Sequence, residues 1–322
     1  MSPIGGKMKL VIMIPCLNEE KTLPLVFSTM PKKIDGIDEI ETLIIDDGST
    51  DDTYEVAKKL GVRHFVRHKV NQGLAYSFRD GIKGSLELGA DIIVITDGDN
   101  QYPQERIPDL IKPILDRRAD VVIADRQTST IEHFSLFKKV LQKFGTWVLN
   151  KAARTNVLDG TSGFRAYSKS AAIQLNLIAP YSFATETIIQ SGNKNQKIGT
   201  ITIKTNPKTR ESRVMKSSIT HARKSGIVIL RSLMMYEPYT IFGSIGLFLL
   251  IVGLIPFGHY LFLVLTVKSP NGPHHLQSLL IGGVFLTGSF ISFTLGMVAD
   301  LIRVNRIMIE EILENQKKEL YK

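Results

Sequence analysis

The chain has 322 residues, 43% of them hydrophobic and 22% charged, which suits one large domain with a full core plus a smaller region. Its formal net charge of +9 favours an anionic partner, and its single cysteine, Cys16, excludes an internal disulfide and fits a reducing compartment. The N-terminal stretch is too short, and its apolar run too soon ended by Asn18-Glu19-Glu20, to read as a secretory signal, so it is expected to open the first strand.

Through roughly the first 200 residues, short apolar runs alternate with amphipathic helices, the pattern of an α/β fold with a mainly parallel sheet. Residues 9–15 are almost continuously apolar, as a strand buried on both faces should be. A helix is expected over 19–30, a strand over 40–46, a helix over 50–60 and a short strand over 64–67. A helix over 73–88, a strand over 92–96, a helix over 107–116 and a strand over 121–124 follow. Beyond these come a long helix over 134–152, strands over 163–168 and 198–205, and a helix over 184–191 between those two strands.

The pattern then changes. Between Lys204 and Arg231 lie eight Lys or Arg and one Glu, Glu211. Within 214–237, Met215, Ile219, Ala222, Gly226, Ile229, Leu230 and Leu233 recur at helical spacing, so this segment is expected to be a basic amphipathic helix in a membrane interface. Residues 238–267 and 269–299 carry no Asp, Glu, Lys or Arg, and each stretch exceeds the roughly 20 residues that cross a bilayer. Two transmembrane helices, about 240–267 and 276–301, are therefore expected to form a hairpin, followed by a C-terminal helix. The joining loop carries Lys268 alone, while basic residues flank the outer ends. That bias predicts an integral membrane protein with its large N-terminal domain in the cytosol. The division is 1–213 catalytic, 214–237 juxtamembrane and 238–322 membrane and tail. The basic cluster is ascribed to anionic lipid, so no nucleic acid is expected. His274 and His275 are expected to be solvated, and His259 is given no role.

The chemistry is expected at the C-terminal ends of the early strands, where open parallel sheets bind ligands. No Gly-x-Gly-x-x-Gly follows the first strand, and no phosphate loop of the Gly-Lys-Ser/Thr type is present. Carboxylates and amides must hold the ligand instead. Asp97-Gly98-Asp99 places two carboxylates on one tight turn, an arrangement that can share a hard divalent cation bridging diphosphate oxygens.

The segments IPCLNEE (14–20), DDGSTD (46–51), NQGLA (71–75), DGDNQ (97–101) and DGTSGFR (159–165), in this order, resemble the inverting family 2 glycosyltransferases of GT-A (nucleotide-diphospho-sugar transferase) fold. Within them the chain is similar to the polyprenyl-phosphate glycosyltransferases, the group that includes dolichyl-phosphate mannose synthases. The resemblance implies transfer of a sugar from a UDP- or GDP-sugar to a polyprenyl or dolichyl phosphate, with Mg²⁺ or Mn²⁺ as cofactor.

It also implies roles. Pro15, Asn18 and Glu19 line the nucleotide pocket, and Asp47 contacts base or ribose. Asp97 lies near ribose and sugar, while Asp99 and Gln101 hold the metal. Arg126, Ser162 and Arg165 hold the acceptor phosphate, and Glu186 faces the donor sugar. Arg210, Ser212 and Arg213 belong to a basic loop closing over the site. In TRESR (209–213) arginines stand where the mannose synthases usually have Gly and Lys, and Tyr76 stands where a basic residue is common. These departures tilt the donor toward a UDP-sugar. A processive polysaccharide synthase is disfavoured because Thr146 precedes the only tryptophan, Trp147, where Gln-x-x-Arg-Trp is usual. The intact acidic turns argue against a non-catalytic scaffold. A homo-oligomer is left open.

Overall fold

The computed structural model describes residues 7–127, 145–151, 153–177, 183–207, 226–227, 230–231, 234–266 and 273–321. The chain forms two compact units, one of residues 1–229 and 314–322, the other of residues 230–313.

The first unit is built on a seven-stranded sheet. Its strands are β1 (Lys9–Cys16), β2 (Glu39–Asp46), β3 (His64–Arg67), β4 (Ile92–Ile95), β5 (Val121–Asp125), β6 (Arg165–Ser168) and β7 (Ile198–Thr202), in the order β3-β2-β1-β4-β6-β5-β7. Only β6 runs antiparallel to its neighbours, β4 and β5. The strand order reverses between β1 and β4, and the crevice beyond their carboxyl ends is the expected ligand position.

Helices cover both faces, as two-sided burial of the strands requires. Leu10, Ile12 and Ile14 point into a core completed by α1 (Leu23–Ser28), α2 (Thr53–Lys59) and α4 (Ile107–Leu115). The alternate residues of β1 face α3 (Leu74–Glu87), where Gly81 lies against Met13 and Ile45. α5 (Lys169–Gln174) and α6 (Phe183–Asn193) pack beside α3.

Several elements differ from expectation. Residues 19–22 form a turn rather than a helix start: Asn18 has φ 55°, and the helix begins only at Leu23, with Pro24 in its first turn. α2 begins at Thr53, because Thr50 N–H is taken by Asn18 Oδ1 at 2.7 Å and Thr53 N–H by Asp51 Oδ1 at 3.0 Å. α5 was not expected; Ser168 Oγ caps it by accepting from Ala171 N–H at 3.2 Å. Of the helix expected over 134–152, residues 145–151 are described and helical; 134–144 lie outside the described residues. Within 214–237, the described residues 226–227, 230–231 and 234–236 are helical.

The second unit holds α7 (Pro238–Thr266) and most of α8 (Pro273–Leu320), both long and apolar enough to cross a membrane. They pack antiparallel through small residues seven apart. Gly246 meets Phe293, Gly253 meets Phe285 and Leu286, and Gly282 meets Phe257. Ser289 Oγ donates to Gly246 O at 2.8 Å and Ser292 Oγ to Phe242 O at 2.7 Å. Such close approach with inter-helix hydroxyl bonds is typical of helices packed in lipid. No break divides α8 near residue 301, so the expected membrane helix and tail helix are one element.

Candidate active site

The loops after β1 and β2 are laced together by polar groups. Asn18 N–H donates to Ser49 Oγ at 3.0 Å, and Asn18 Oδ1 accepts from Thr50 N–H. Glu19 N–H donates to Thr53 Oγ1 at 2.7 Å, while Thr22 Oγ1 donates to the Glu19 carboxylate at 2.7 Å. Gly48, with φ 76°, lets this turn lie against the backbone of Val70; an added Cβ would stand 2.7 Å from Val70 C. Asp47 is buried. Its Oδ1 accepts from Gln72 N–H at 2.9 Å and lies 2.7 Å from His68 Nδ1, and its Oδ2 accepts from Gly73 N–H at 2.8 Å. Asp47 thereby fixes the loop leading into α3.

The turn after β4 lies against the turn after β1. A Cβ on Gly98 would stand 3.0 Å from Cys16 Sγ and 3.3 Å from Glu19 Cγ, so a larger residue would press on both side chains. Asp97 and Asp99 flank that glycine. Asp99 Oδ1 accepts from Gln101 N–H at 3.1 Å, and Asn100 takes φ 60° to close the turn. Asn206 holds the turn from the far end of the unit: its Nδ2 donates to Asn100 O at 3.1 Å and its N–H to Gln101 O at 2.9 Å. The buried Cys16 thiol is pushed well up by burial and by Glu19, Asp46 and Asp97, a measure of the negative charge gathered here.

Beyond β5 and before β6 lies an ion pair. Arg126 Nε and Nη2 donate to Asp159 Oδ2 and Oδ1 at 2.7 and 3.1 Å, and Nη2 also donates to Thr161 Oγ1 at 2.7 Å. Burial opposes the ionised Asp159, but Arg126 and Thr161 outweigh it and hold its carboxyl below the usual range. Tyr102 joins this ion pair to the β4 turn. Its hydroxyl accepts from Gly163 N–H at 2.9 Å, and burial, aided by Asp97 and opposed by Arg126, pushes its pKa up to about 12. The Asp97 carboxylate lies against Gly163, whose added Cβ would stand 3.2 Å from Asp97 Oδ2.

The strand ends therefore bring together Pro15, Asn18, Glu19 and Asp47 on one side of the switch point. Asp97, Asp99, Gln101, Arg126 and Ser162 lie on the other. Ser162 is fully buried beside Tyr102. Glu186, in the first turn of α6, is buried and accepts from Gln190 Nε2 at 3.3 Å.

Arg165 is not on the acceptor side as expected. Its side chain is fully buried, and its guanidinium donates to Gly160 O, Ser162 O, Ala184 O and Thr187 Oγ1 at 2.7–3.0 Å. It ties the 160–162 turn to α6 and does not offer its charge to an acceptor. Arg210, Ser212 and Arg213 lie outside the described residues. Three contributors escaped the sequence reading. Asp159 opens the DGTSGFR segment but carried no expected role, Tyr102 follows DGDNQ, and Asn206 has no local signal.

Among the described residues, no three His, Cys, Asp or Glu side chains converge on a self-sufficient cation site. Two carboxylates flanking Gly98 instead fit a cation completed by a ligand's own diphosphate oxygens. The sheet order and the acidic turns gathered beyond the carboxyl ends of its early strands are those of the GT-A, nucleotide-diphospho-sugar transferase architecture. The chain belongs to glycosyl transferase family 2, whose profile matches residues 11–175, and is a glycosyltransferase.

Its relatives include the UDP-N-acetylglucosamine–dolichyl-phosphate N-acetylglucosaminyltransferase of Methanococcus voltae. The two are 29% identical over 215 residues, 60% of this chain and 84% of that protein. The undecaprenyl-phosphate mannosyltransferase of Micrococcus luteus is 27% identical over 201 residues, 59% of this chain and 81% of that protein. Among solved structures, glucosyl-3-phosphoglycerate synthase of Mycobacterium tuberculosis, with Mn²⁺, UDP and glucosyl-3-phosphoglycerate, aligns with TM-score 0.52. That match has 20% identity and covers 70% of this chain and 79% of the other, a likeness of fold.

Proposed function

We propose that this transferase moves a sugar from a UDP-sugar to a polyprenyl phosphate in the cytosolic leaflet, inverting the anomeric carbon. One observation carries the donor half: Asp97 and Asp99 flank the glycine that seats the β4 turn against Cys16 and Glu19 at the switch point. Pro15, Asn18, Glu19 and Asp47 form the nucleotide side of that crevice. Asp99 and Gln101 would hold Mg²⁺ or Mn²⁺, which when bound neutralises the charge of the departing nucleoside diphosphate. Glu186 faces the donor sugar.

A phosphate monoester has its second pKa near ~6, so the acceptor is largely dianionic at neutral pH and needs no general base. It needs positioning and charge compensation. Arg126 offers these as half of an ion pair with Asp159, its side chain 20% exposed; Ser162 and the basic 210–213 loop complete the acceptor side. A lipid acceptor is supported by the relatives' names, by the two apolar helices and by the exposed Ile227, Leu230 and Met234 before them. The basic flanks of the hairpin support a cytosolic catalytic unit.

The test is a panel of radiolabelled UDP- and GDP-sugars with the full-length protein in vesicles containing undecaprenyl phosphate and Mn²⁺. A chloroform-soluble, β-linked product from an α-linked UDP-sugar is expected. An α-linked product, or no lipid product from any donor, overturns the proposal.

A further inference from the structure

The last turns of α8 belong to the first unit. From residue 301 onward, Arg303, Arg306, Glu310, Glu314, Lys317 and Tyr321 are half-buried, at spacings of three and four that make one helical stripe. Ile307, Ile309, Ile312 and Leu320 are exposed. Polar groups thus face inward along this helix.

One of them, Lys317, reaches the C-terminal end of α5, and a second, Glu314, reaches it through Lys194. Lys317 Nζ donates to Leu175 O at 2.9 Å and to Asn176 Oδ1 at 2.7 Å, and lies 3.3 Å from Ile173 O. The backbone carbonyls of Ile173 and Leu175 lie at the C-terminal end of a helix, where such groups lack intrahelical partners and attract a cation. Glu314 pairs with Lys194, whose Nζ also donates to Gln174 O at 2.7 Å. Burial raises the pKa of Tyr321, with Glu87 at the end of α3 adding to it.

From Asn176 the connection continues inward. Asn176 N–H donates to Gln190 Oε1 at 2.9 Å, and Asn176 O accepts from Gln190 Nε2 at 2.7 Å. Gln190 is almost fully buried, and the same Nε2 lies 3.3 Å from Glu186 Oε1, one turn earlier on α6. We propose that the Glu314–Lys317 turn of the tail is a positioning clamp for Glu186, acting through Asn176 and Gln190. Lys317 and Glu314 are positioning residues; neither touches substrate. This inference rests on the reading of Glu186 as the acidic group facing the donor sugar.

The experiment uses full-length protein in vesicles with undecaprenyl phosphate and UDP-N-acetylglucosamine, or the donor that the panel selects. Lys317→Ala is expected to lower kcat about tenfold, as small misplacements of a catalytic group do, with Mn²⁺–UDP affinity unchanged. Lys317→Arg keeps the charge and reach and should retain most of the rate. Reversing the pair as Lys194→Glu with Glu314→Lys should recover rate lost by either change alone. Combined with Glu186→Gln, Lys317→Ala should add no further loss, because both act on one group.

An unchanged kcat in Lys317→Ala, a parallel fall in UDP affinity, additive losses with Glu186→Gln, or a silent Glu186→Gln would each overturn the clamp. Failure of the acceptor reading shows separately, as a wild-type protein that hydrolyses the donor but glycosylates no lipid phosphate. The same variants are then compared on that hydrolysis.

Discussion

The two units bury opposite kinds of side chain. In the first, β1 and its neighbours are apolar inside, and buried polar groups such as Asp47, Asp159 and Arg165 each hold a loop in place. In the second, glycines and serines face the helix contact, while Phe248, Leu265 and Phe290 point outward. The difference fits two kinds of surroundings. Where water surrounds a fold, apolar burial drives assembly and buried polar groups specify geometry. Where the surroundings are as apolar as the side chains, close packing and hydroxyl bonds hold helices together.

The sharpest way to break that division is at the crevice. Asp99→Asn keeps an acceptor for Gln101 N–H but removes the charge, so transfer at saturating donor and Mn²⁺ should fall about a thousandfold. Trp147, the only tryptophan, reports on the first unit, and its urea transition should stay in place. A shifted transition would make Asp99 a structural residue.

Asp159→Asn should move that transition strongly, by about 3 kcal/mol, because the half-buried Arg126 loses the counter-charge of its buried partner. The pH dependence has a definite sign. Asp159 has a lowered pKa when folded, so its contribution is complete above the ordinary aspartate value of about 4 and is lost as pH falls through the folded value. The variant should lack that acid-side loss.

Gly253→Leu should act on the hairpin alone. Its Cβ would stand 3.0 Å from Leu286 N and from Phe285 Cβ, an overpacking worth about 2 kcal/mol. Faster amide exchange in 246–260, with the Trp147 transition unmoved, is the expected pattern. The smallest effect is expected from Tyr102→Phe, about 1 kcal/mol for the lost bond to Gly163 N–H. Tyr102 has a raised folded pKa, so its contribution holds below the ordinary value near 10 and fades as pH rises toward about 12. Wild type should lose stability across that interval and the phenylalanine variant should lose less, read by Trp147 fluorescence in urea.

Much of the first unit was legible because its strands are runs such as residues 9–16, whose apolar character has no competing explanation. The crevice was legible because acidic turns follow three of those runs. What escaped depends on partners far away in sequence. Nothing near Arg165 shows that its fork would be taken by backbone carbonyls 3 to 19 residues distant. Nothing near Asn206 points to residue 100, and nothing near Lys317 points to residue 176. α5 has six residues, too few for a periodic signal. α8 was cut short because Asp300, Arg303 and Arg306 read as the end of an apolar segment, whereas a helix continues wherever its charges have somewhere to go. Arg306 donates to Tyr236 Oη at 3.0 Å and stacks on its ring.

The sheet order sets a timetable for synthesis. β6 lies between β4 and β5, so β4 lacks its second neighbour until residues 165–168 have been made, some 70 residues after β4 itself. Until then the emerging chain carries an unpaired strand edge beside its acidic turns, a surface open to wrong partners. Asn206 comes later still, and with it the last tie on the Asp99 turn. The group of acidic turns is thus completed only when synthesis has nearly reached the two apolar helices, so a nascent chain gains its candidate site and its hairpin almost together.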